Sequence, residues 1–175
     1  MGFSSKPNSL PDMITLLRDA SALFRAAWSA GDEDQAARAS QQAMKAFDHI
    51  CNVFLRRRDD ARGHTPVADL FRYMQRDFGL LVSPVTRAEQ QQNSSHPAND
   101  GNGRLPGRSG PSRPAKLHAA FNKIKHRNDQ YSNFRIEKDR HILTVAGDLN
   151  GEPNYVFEFD VIEFCDVCDQ GRHLI

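Results

Sequence analysis

The chain has 175 residues, of which 39% are hydrophobic and 26% are charged, with a formal net charge of +1. This length and composition are typical of one folded domain. The longest apolar runs fall far short of the roughly 18 residues that cross a bilayer, which excludes a transmembrane helix. The N-terminal residues lack the apolar segment of a secretory signal, and three cysteines do not make a disulfide framework, so we expect a cytoplasmic protein.

Two amphipathic helices are predicted first. One covers residues about 10 to 30, where Ser9 is a suitable cap and Gly31 a suitable end. The other begins near Asp32 or Asp34, because acidic side chains suit the positive end of the helix dipole. Each has apolar residues at helical spacing along one side.

A third helix is predicted from Thr65-Pro66 onward. Its apolar positions recur at helical spacing as far as Phe78, and Gly79 ends it. The three helices form the predicted N-terminal bundle over residues 1–83.

The composition changes sharply between Pro84 and Pro114, where five of the nine prolines and four of the eleven glycines lie. Such a stretch has too little apolar surface to offset the entropy lost on ordering. It is also longer than an ordinary connection between elements. We therefore predict a flexible loop over residues 84–113.

A fourth helix is predicted to begin at Pro114, because proline suits the first position of a helix. Leu117, Phe121 and Ile124 form its apolar face, and it ends near Arg127 or Asn128. Beyond it the hydrophobic period becomes alternating, which indicates strands.

Strands are predicted at residues 134–136, 141–146 and 155–159. The Asn150-Gly151 pair tolerates the positive φ angles of a type I′ turn and marks a hairpin between the last two strands. Asp160, followed three residues later by Glu163, begins a final helix that ends at Gly171.

The fold class that follows is α+β. An N-terminal helical bundle packs against residues 114–175, which contain the fourth helix, a three-stranded antiparallel meander and a C-terminal helix. The second part is too small to be stable alone, so we expect it to form one domain with residues 1–83.

The net charge hides two opposite blocks. From Gly101 to Asn128 the chain has seven Lys or Arg and no acid, and from Asp148 to Gln170 it has seven acids and no Lys or Arg. A basic block of this kind is typical of contact with a polyanion. The alternative is that the two blocks pair with each other inside the molecule.

The basic block divides into a Gly/Pro-rich arm and a helix, and both are predicted to contact one partner. The candidate binding residues are Arg104, Arg108, Arg113, Lys116, Lys123, Lys125, His126, Arg127 and Asn128. The favoured interpretation is a small non-enzymatic binding or adaptor protein whose partner is a nucleic acid or an acidic protein surface. No cofactor and no membrane contact are predicted.

A second interpretation is enzymatic. Arg127-Asn128, at a helix end, resembles the first half of the motif of small HEPN-class ribonucleases, in which an Arg–polar pair is followed by a histidine. Residues 132–134 are Ser, Asn and Phe, so the histidine that would act as acid or base is missing. The resemblance implies a degraded, metal-independent ribonuclease that uses a histidine from elsewhere, such as His126 or His141.

A third interpretation makes the acidic block the binding surface, as a mimic of nucleic acid that occupies the basic groove of another protein. The sequence is also compatible with a homo-oligomer, because an apolar stripe shared between subunits has the same pattern as an internal one.

Cys165 and Cys168 have the C-x-x-C spacing of metal and redox sites. A structural zinc site needs four ligands, and acids at positions 163, 166 and 169 disfavour a reactive thiolate. We therefore interpret the cysteines as buried apolar residues, and we predict no metal site and no catalytic residue.

Overall fold

The computed structural model describes residues 9–60, 68–94, 100–106 and 112–175. Two long helices open the fold, as predicted: α1 covers Leu10–Ala30 and α2 covers Glu33–Asp60. The Ser9 hydroxyl accepts a hydrogen bond from the Asp12 N–H at 3.3 Å and caps α1, which ends at Gly31 with a φ of 71°. Neither helix, nor any other in the described ranges, has the length and apolar character needed to cross a membrane.

The third helix is shorter than predicted, and a strand follows it. Helix α3 covers Ala68–Met74 and strand β1 covers Asp77–Val82, so Phe78 lies in a strand rather than a helix. Phe78 pairs with Ala115, which is far along the chain, and this pairing overrides the helical spacing. The predicted helix start at Thr65-Pro66 lies outside the described residues.

Residues 84–113 do not form a loop throughout. Helix α4 covers Arg87–Ser94, and the prediction of a loop is wrong there. Its buried side chains are polar and include Gln90 and Asn93. The helix therefore lacks the apolar stripe by which a sequence pattern is recognised.

The segment around Pro114 is a strand. Strand β2 covers Arg113–Lys116 and helix α5 covers Leu117–Lys125, so the prediction that Pro114 opens the helix is wrong. Strand β2 lies at the edge of the sheet, a place where proline is tolerated. The three predicted apolar residues of the helix are all buried, as expected.

The last part of the chain forms an antiparallel meander and a helix, as predicted. Strands β3 (Asn128–Glu137), β4 (Arg140–Leu149) and β5 (Glu152–Asp160) are followed by helix α6 (Val161–Gly171) and a 3-10 helix (Arg172–Leu174). Asn150 and Gly151, with φ angles of 54° and 83°, form the predicted turn between β4 and β5. Asp160 caps α6 by accepting a hydrogen bond from the Ile162 N–H at 2.7 Å.

The five strands form one antiparallel sheet in the order β2-β1-β5-β4-β3. The predicted α+β class is confirmed. The sheet has five strands rather than three, because β1 and β2 extend the meander at its β5 side. Strands β2 and β3 are consequently the two edges.

The main core lies between one face of the sheet and helices α1, α2, α5 and α6. On β4, the alternate residues Leu143 and Val145 belong to this core. Ala146 instead belongs to a smaller apolar cluster on the opposite face, where α4 contacts β3 and β5. Phe47 of α2 bridges the layers, with its ring centre 5.7 Å from that of Phe159 on β5.

Candidate functional site

Three residues of the basic segment, Arg113, Lys116 and Lys123, lie on β2 and on one side of α5, and they are named the cationic patch. Burial lowers the pKa of Lys123, and the nearby charge of Arg113 lowers it further. The Lys123 ammonium lies 4.0 Å from the centre of the Tyr155 ring. Among the described residues, no carboxylate forms an ion pair with Arg113 or Lys123.

Lys116 and Lys125 lie at the two ends of α5 and on opposite sides of it, because nine residues make two and a half turns. At the N-terminal end, Lys116 Nζ lies 2.6 Å from Asp77 Oδ1, and both side chains are about half exposed. At the C-terminal end, Lys125 and His126 are exposed. A cation at that end complements the negative pole of the helix dipole. Lys125 is therefore separate from the patch, and the charge of Lys116 is partly neutralised by Asp77.

Arg104 lies away from the patch. Arg104 Nη1 lies 3.4 Å from Glu137 Oε1 on β3, the sheet edge opposite β2. Asn128 is the first residue of β3, and its Oδ1 accepts a hydrogen bond from the Gln130 N–H at 3.1 Å. Arg108, also a predicted binding residue, lies outside the described residues.

Arg127 is separated from the patch by burial. Its side chain is only 8% exposed, and its Nη1 lies 2.7 Å from Asp48 Oδ1 on α2. Its Nε lies 2.8 Å from Asp129 Oδ1, and Nη1 also donates to the Ile124 carbonyl at 2.9 Å. Arg127 therefore ties the end of α5 to α2 and β3, and it does not join the lysines of the helix in one exposed face.

The two charge blocks do not pair with each other within the described residues. Six of the seven acids form ion pairs with arginines outside the basic block: Asp148 with Arg87, Glu158 with Arg135, Asp160 and Glu163 with Arg140, Asp166 with Arg18, and Asp169 with Arg172. The interpretation that the blocks neutralise each other is therefore wrong for this part of the chain. Glu152 is the one acid of the block without an ion pair to the described residues.

The buried histidine of β4 lies far from Arg127. His141 is 4% exposed. Asn128, the residue after Arg127, pairs with Ala146 of β4, and His141 lies five residues along β4 from Ala146. That separation is roughly 17 Å in a strand. His126 is exposed, whereas the Arg127 guanidinium is turned into the protein. The geometry thus does not bring the imidazole of His141 beside this guanidinium.

All three cysteines are buried and free, as predicted for apolar residues. Burial raises the pKa of Cys165 to about 12, so its thiol stays protonated. In the described ranges, no group of three or more His, Cys, Asp or Glu side chains is placed to hold a metal ion.

A cleft that was not predicted from the sequence lies between α2 and the strands β3 and β4. Its volume is about 460 Å³, within the range of small-molecule sites. The lining residues are Ser40, Gln41, Met44, Lys45, Asp48, Arg127, Asp129, Ser132, Asn133, Phe134, Leu143 and Val145. It is named the bulge cleft, because β3 departs from β4 beside it.

The bulge results from an excess of residues in β3. Asn128 pairs with Ala146 and Asn133 pairs with Thr144, so five steps along β3 oppose two along β4. The Ser132 hydroxyl bridges the break, accepting from the Ala146 N–H at 3.1 Å and donating to the Asn128 carbonyl at 2.8 Å. Bulges are frequent beside functional sites. One signal was present in the sequence, because residues 128–133 lack apolar alternation.

The cleft combines an apolar floor with charges of both signs. The floor is formed by Met44, Phe134, Leu143 and Val145. Lys45 and Arg127 supply positive charge, and Asp48 and Asp129 supply negative charge, so the formal charge of the lining is zero. This arrangement suits a ligand with an apolar body and charged ends.

Two surfaces with different chemistry therefore lie near opposite edges of the sheet. The cationic patch adjoins β2 and presents positive charge, whereas the bulge cleft adjoins β3 and is apolar with balanced charges. No protein-family model matches this chain, and no curated protein or solved structure matches it.

Proposed function

We propose that this chain is a non-enzymatic, cytoplasmic binding protein that contacts the phosphate backbone of a nucleic acid through the cationic patch. The observation that carries the proposal is the approach of Arg113 to Lys123 with no carboxylate of the described residues paired to either. Two neighbouring cations repel each other, and an anion bound between them relieves the repulsion. The free cysteines are compatible with a reducing compartment.

The surroundings of Lys123 strengthen its attraction for a phosphate. Its ammonium is half-buried against the Tyr155 ring, where charges are less screened by water than on an open surface. Lys116 and Lys123 lie seven residues apart, which places them on the same side of α5 at a distance of roughly 10 Å along the helix. A nucleic acid presents several phosphates over that length.

The lack of apolar surface at the patch favours a nucleic acid over an acidic protein. The exposed large apolar side chains in the described ranges are Leu23, Leu80, Leu149 and Ile175, and none of them lies on β2 or α5. Protein interfaces have an apolar or aromatic centre, whereas phosphate contacts need only cations and hydrogen-bond donors.

The test is the affinity for a fluorescent oligonucleotide, measured by anisotropy between about 50 and 200 mM salt. We expect the logarithm of the affinity to fall linearly with the logarithm of the salt concentration. Each phosphate contact contributes about −0.7 to −0.9 to the slope. The double variant Arg113→Ala, Lys123→Ala should therefore reduce the slope by roughly 1.5 and weaken binding at low salt.

A matched control removes the same charge elsewhere. Arg38 and Arg56 are exposed on α2 and make no ion pair within the described residues, so Arg38→Ala with Arg56→Ala should leave the slope nearly unchanged. Equal losses in the two double variants would mean that only net charge matters and would refute the patch. If an acidic peptide binds more tightly than DNA and RNA, the partner is a protein instead. Absence of salt-dependent binding to all three would refute the proposal altogether.

A further inference from the structure

We propose that the bulge cleft binds a small amphipathic zwitterion, namely a free apolar amino acid or a dipeptide of apolar residues. This site is distinct from the cationic patch, because the cleft adjoins β3 and the patch adjoins β2, at the other edge of the sheet. Three features carry the proposal: the apolar floor, an arginine held in place before a ligand binds, and carboxylates that keep free oxygens.

The floor is suited to an apolar side chain. Phe134 and Leu143 each retain 7% exposure, although they belong to the main core. Met44 is half-buried and closes the floor from the α2 side. A ligand side chain placed here removes apolar surface from water on both molecules, which is the main driving force for binding.

Arg127 is placed to bind the carboxylate of the ligand. Its Nε and Nη1 are held by Asp129 and Asp48, and Nη1 also donates to the Ile124 carbonyl. Nη2 makes no hydrogen bond to the described residues and is free to donate. A guanidinium fixed in this way recognises a carboxylate by directed N–H bonds. Lys45, exposed at the rim, adds a second cation.

Asp48 and Asp129 are placed to bind the ammonium group. Each contacts Arg127 through Oδ1, and their side chains are 46% and 78% exposed. A carboxylate has more acceptor sites than one such contact uses, so each can accept a further hydrogen bond. Because the lining has no formal net charge, a ligand whose own charges cancel suits it better than an anion or a cation.

The bulge gives the cleft a fixed wall. The Ser132 hydroxyl bonds to the backbone of both strands at the break, which fixes the extra residues of β3. A wall held by hydrogen bonds to strand backbone needs little ordering when a ligand binds.

The test is isothermal titration calorimetry of the full chain with L-leucine, L-phenylalanine and the dipeptide leucyl-phenylalanine. We expect saturable binding with dissociation constants between about 10 μM and 1 mM. N-acetyl-L-leucine lacks the ammonium charge and L-leucinamide lacks the carboxylate, so each should bind at least about tenfold more weakly than leucine. The Trp28 ring lies 4.8 Å from the Phe134 ring, so its fluorescence provides a second readout of cleft occupancy.

Two variants identify the site. Lys45→Glu and Arg127→Lys should each weaken leucine binding about tenfold, whereas Arg38→Glu, on the same helix outside the cleft, should leave it unchanged. Lys45 is exposed, so its variant tests the cleft even if Arg127→Lys fails to fold. The proposal is overturned if none of the three ligands binds, if the analogues bind as well as leucine, or if Lys45→Glu binds like the unchanged chain. Binding of leucine in the bulge cleft does not depend on oligonucleotide binding at the cationic patch. Each of the two proposals can therefore be refuted without refuting the other.

Discussion

The guanidinium of Arg127 lies 2.7 Å from the carboxylate of Asp48, a residue 79 positions earlier in the chain. This ion pair joins the end of α5 to the middle of α2 and forms part of the wall of the bulge cleft. The last cation of the basic segment therefore has its charge directed into the protein. Its neighbours Lys123 and Lys125 keep theirs accessible at the surface.

The first prediction concerns this pair. Arg127→Ala should lower the free energy of unfolding by about 2 kcal/mol, because it leaves Asp48 and Asp129 without their partner. The loss is smaller than for a fully buried pair, since both carboxylates are exposed enough to be hydrated. Urea denaturation measures it. Lys125→Ala, at an exposed position two residues away, should change stability by less than about 0.5 kcal/mol; equal effects of the two substitutions would contradict the role of Arg127.

The elements predicted correctly from the sequence have local signals. The cap at Ser9 and the Asn150-Gly151 turn act within a few residues, and the stripes of α1 and α2 repeat over many turns. Strands β1 and β2 are short, and they are stabilised by pairing such as that of Asp77 with Lys116, which lie 39 residues apart. No local pattern carries that information.

For the candidate site, the sequence predicted the positive charge but not the arrangement of the residues that carry it. The positive segment is visible in the sequence, but whether each cation is accessible depends on distant residues, such as Asp48 for Arg127 and Tyr155 for Lys123. The bulge cleft is assembled from α2, β3, β4 and the end of α5, so its lining is scattered along the chain. The one local sign of the cleft in the sequence was that residues 128–133 do not alternate between apolar and polar, as a regular strand would.

The second prediction uses three consecutive glutamines. Gln90 is fully buried, whereas Gln91 and Gln92 are exposed. The Gln90 amide nitrogen donates to the carbonyls of Gly147 at 2.9 Å and Tyr155 at 3.3 Å, and so attaches α4 to the sheet. Chemically identical neighbours therefore have different structural roles.

Gln90→Ala should lower the free energy of unfolding by about 2 kcal/mol, because two buried carbonyls lose a donor and a cavity forms. Gln91→Ala and Gln92→Ala should each change it by less than about 0.5 kcal/mol. Urea denaturation of the three variants provides the comparison. Similar values for all three would show that α4 does not contribute to the stability of the fold.

The third prediction concerns the close approach of β4 and β5. A Cβ atom on Gly147 would lie 2.2 Å from the Tyr155 ring. The hydroxyl of Tyr155 donates to the Lys123 carbonyl at 2.7 Å, so the ring is held from its other end by α5. Gly147→Ala should therefore displace the ring and lower the free energy of unfolding by about 2 kcal/mol.

Gly151→Ala is the matched comparison. A Cβ atom there meets nothing within 4 Å, but the φ of 83° is strained for alanine, which costs about 1 kcal/mol. Near-ultraviolet circular dichroism should change for Gly147→Ala and stay unchanged for Gly151→Ala, because only the first moves an aromatic ring. An unaltered aromatic spectrum in Gly147→Ala would contradict the predicted displacement.

The fourth prediction is a loss of stability in mild acid caused by His141. Its Nδ1 lies 2.9 Å from the Ser21 hydroxyl, and its ring stacks on Phe24 with centres 4.7 Å apart. Burial lowers the pKa of His141 to about 4, the charge of Arg25 adds to the lowering, and Asp160 opposes it. The folded protein therefore keeps this imidazole neutral at pH values where the unfolded chain protonates it.

The sign of the effect follows from proton binding. Between pH 6.5 and about 4 the unfolded chain binds a proton that the folded chain excludes, so the free energy of unfolding falls as the pH falls. The total loss from this group is on the order of 3 kcal/mol and is complete below the folded pKa. Urea denaturation at several pH values measures it, with His141→Gln, which cannot ionise, as the variant and the exposed His126→Gln as the control. The pH dependence should become shallower in His141→Gln alone; a slope equal to that of the unchanged chain would assign the acid sensitivity to other groups.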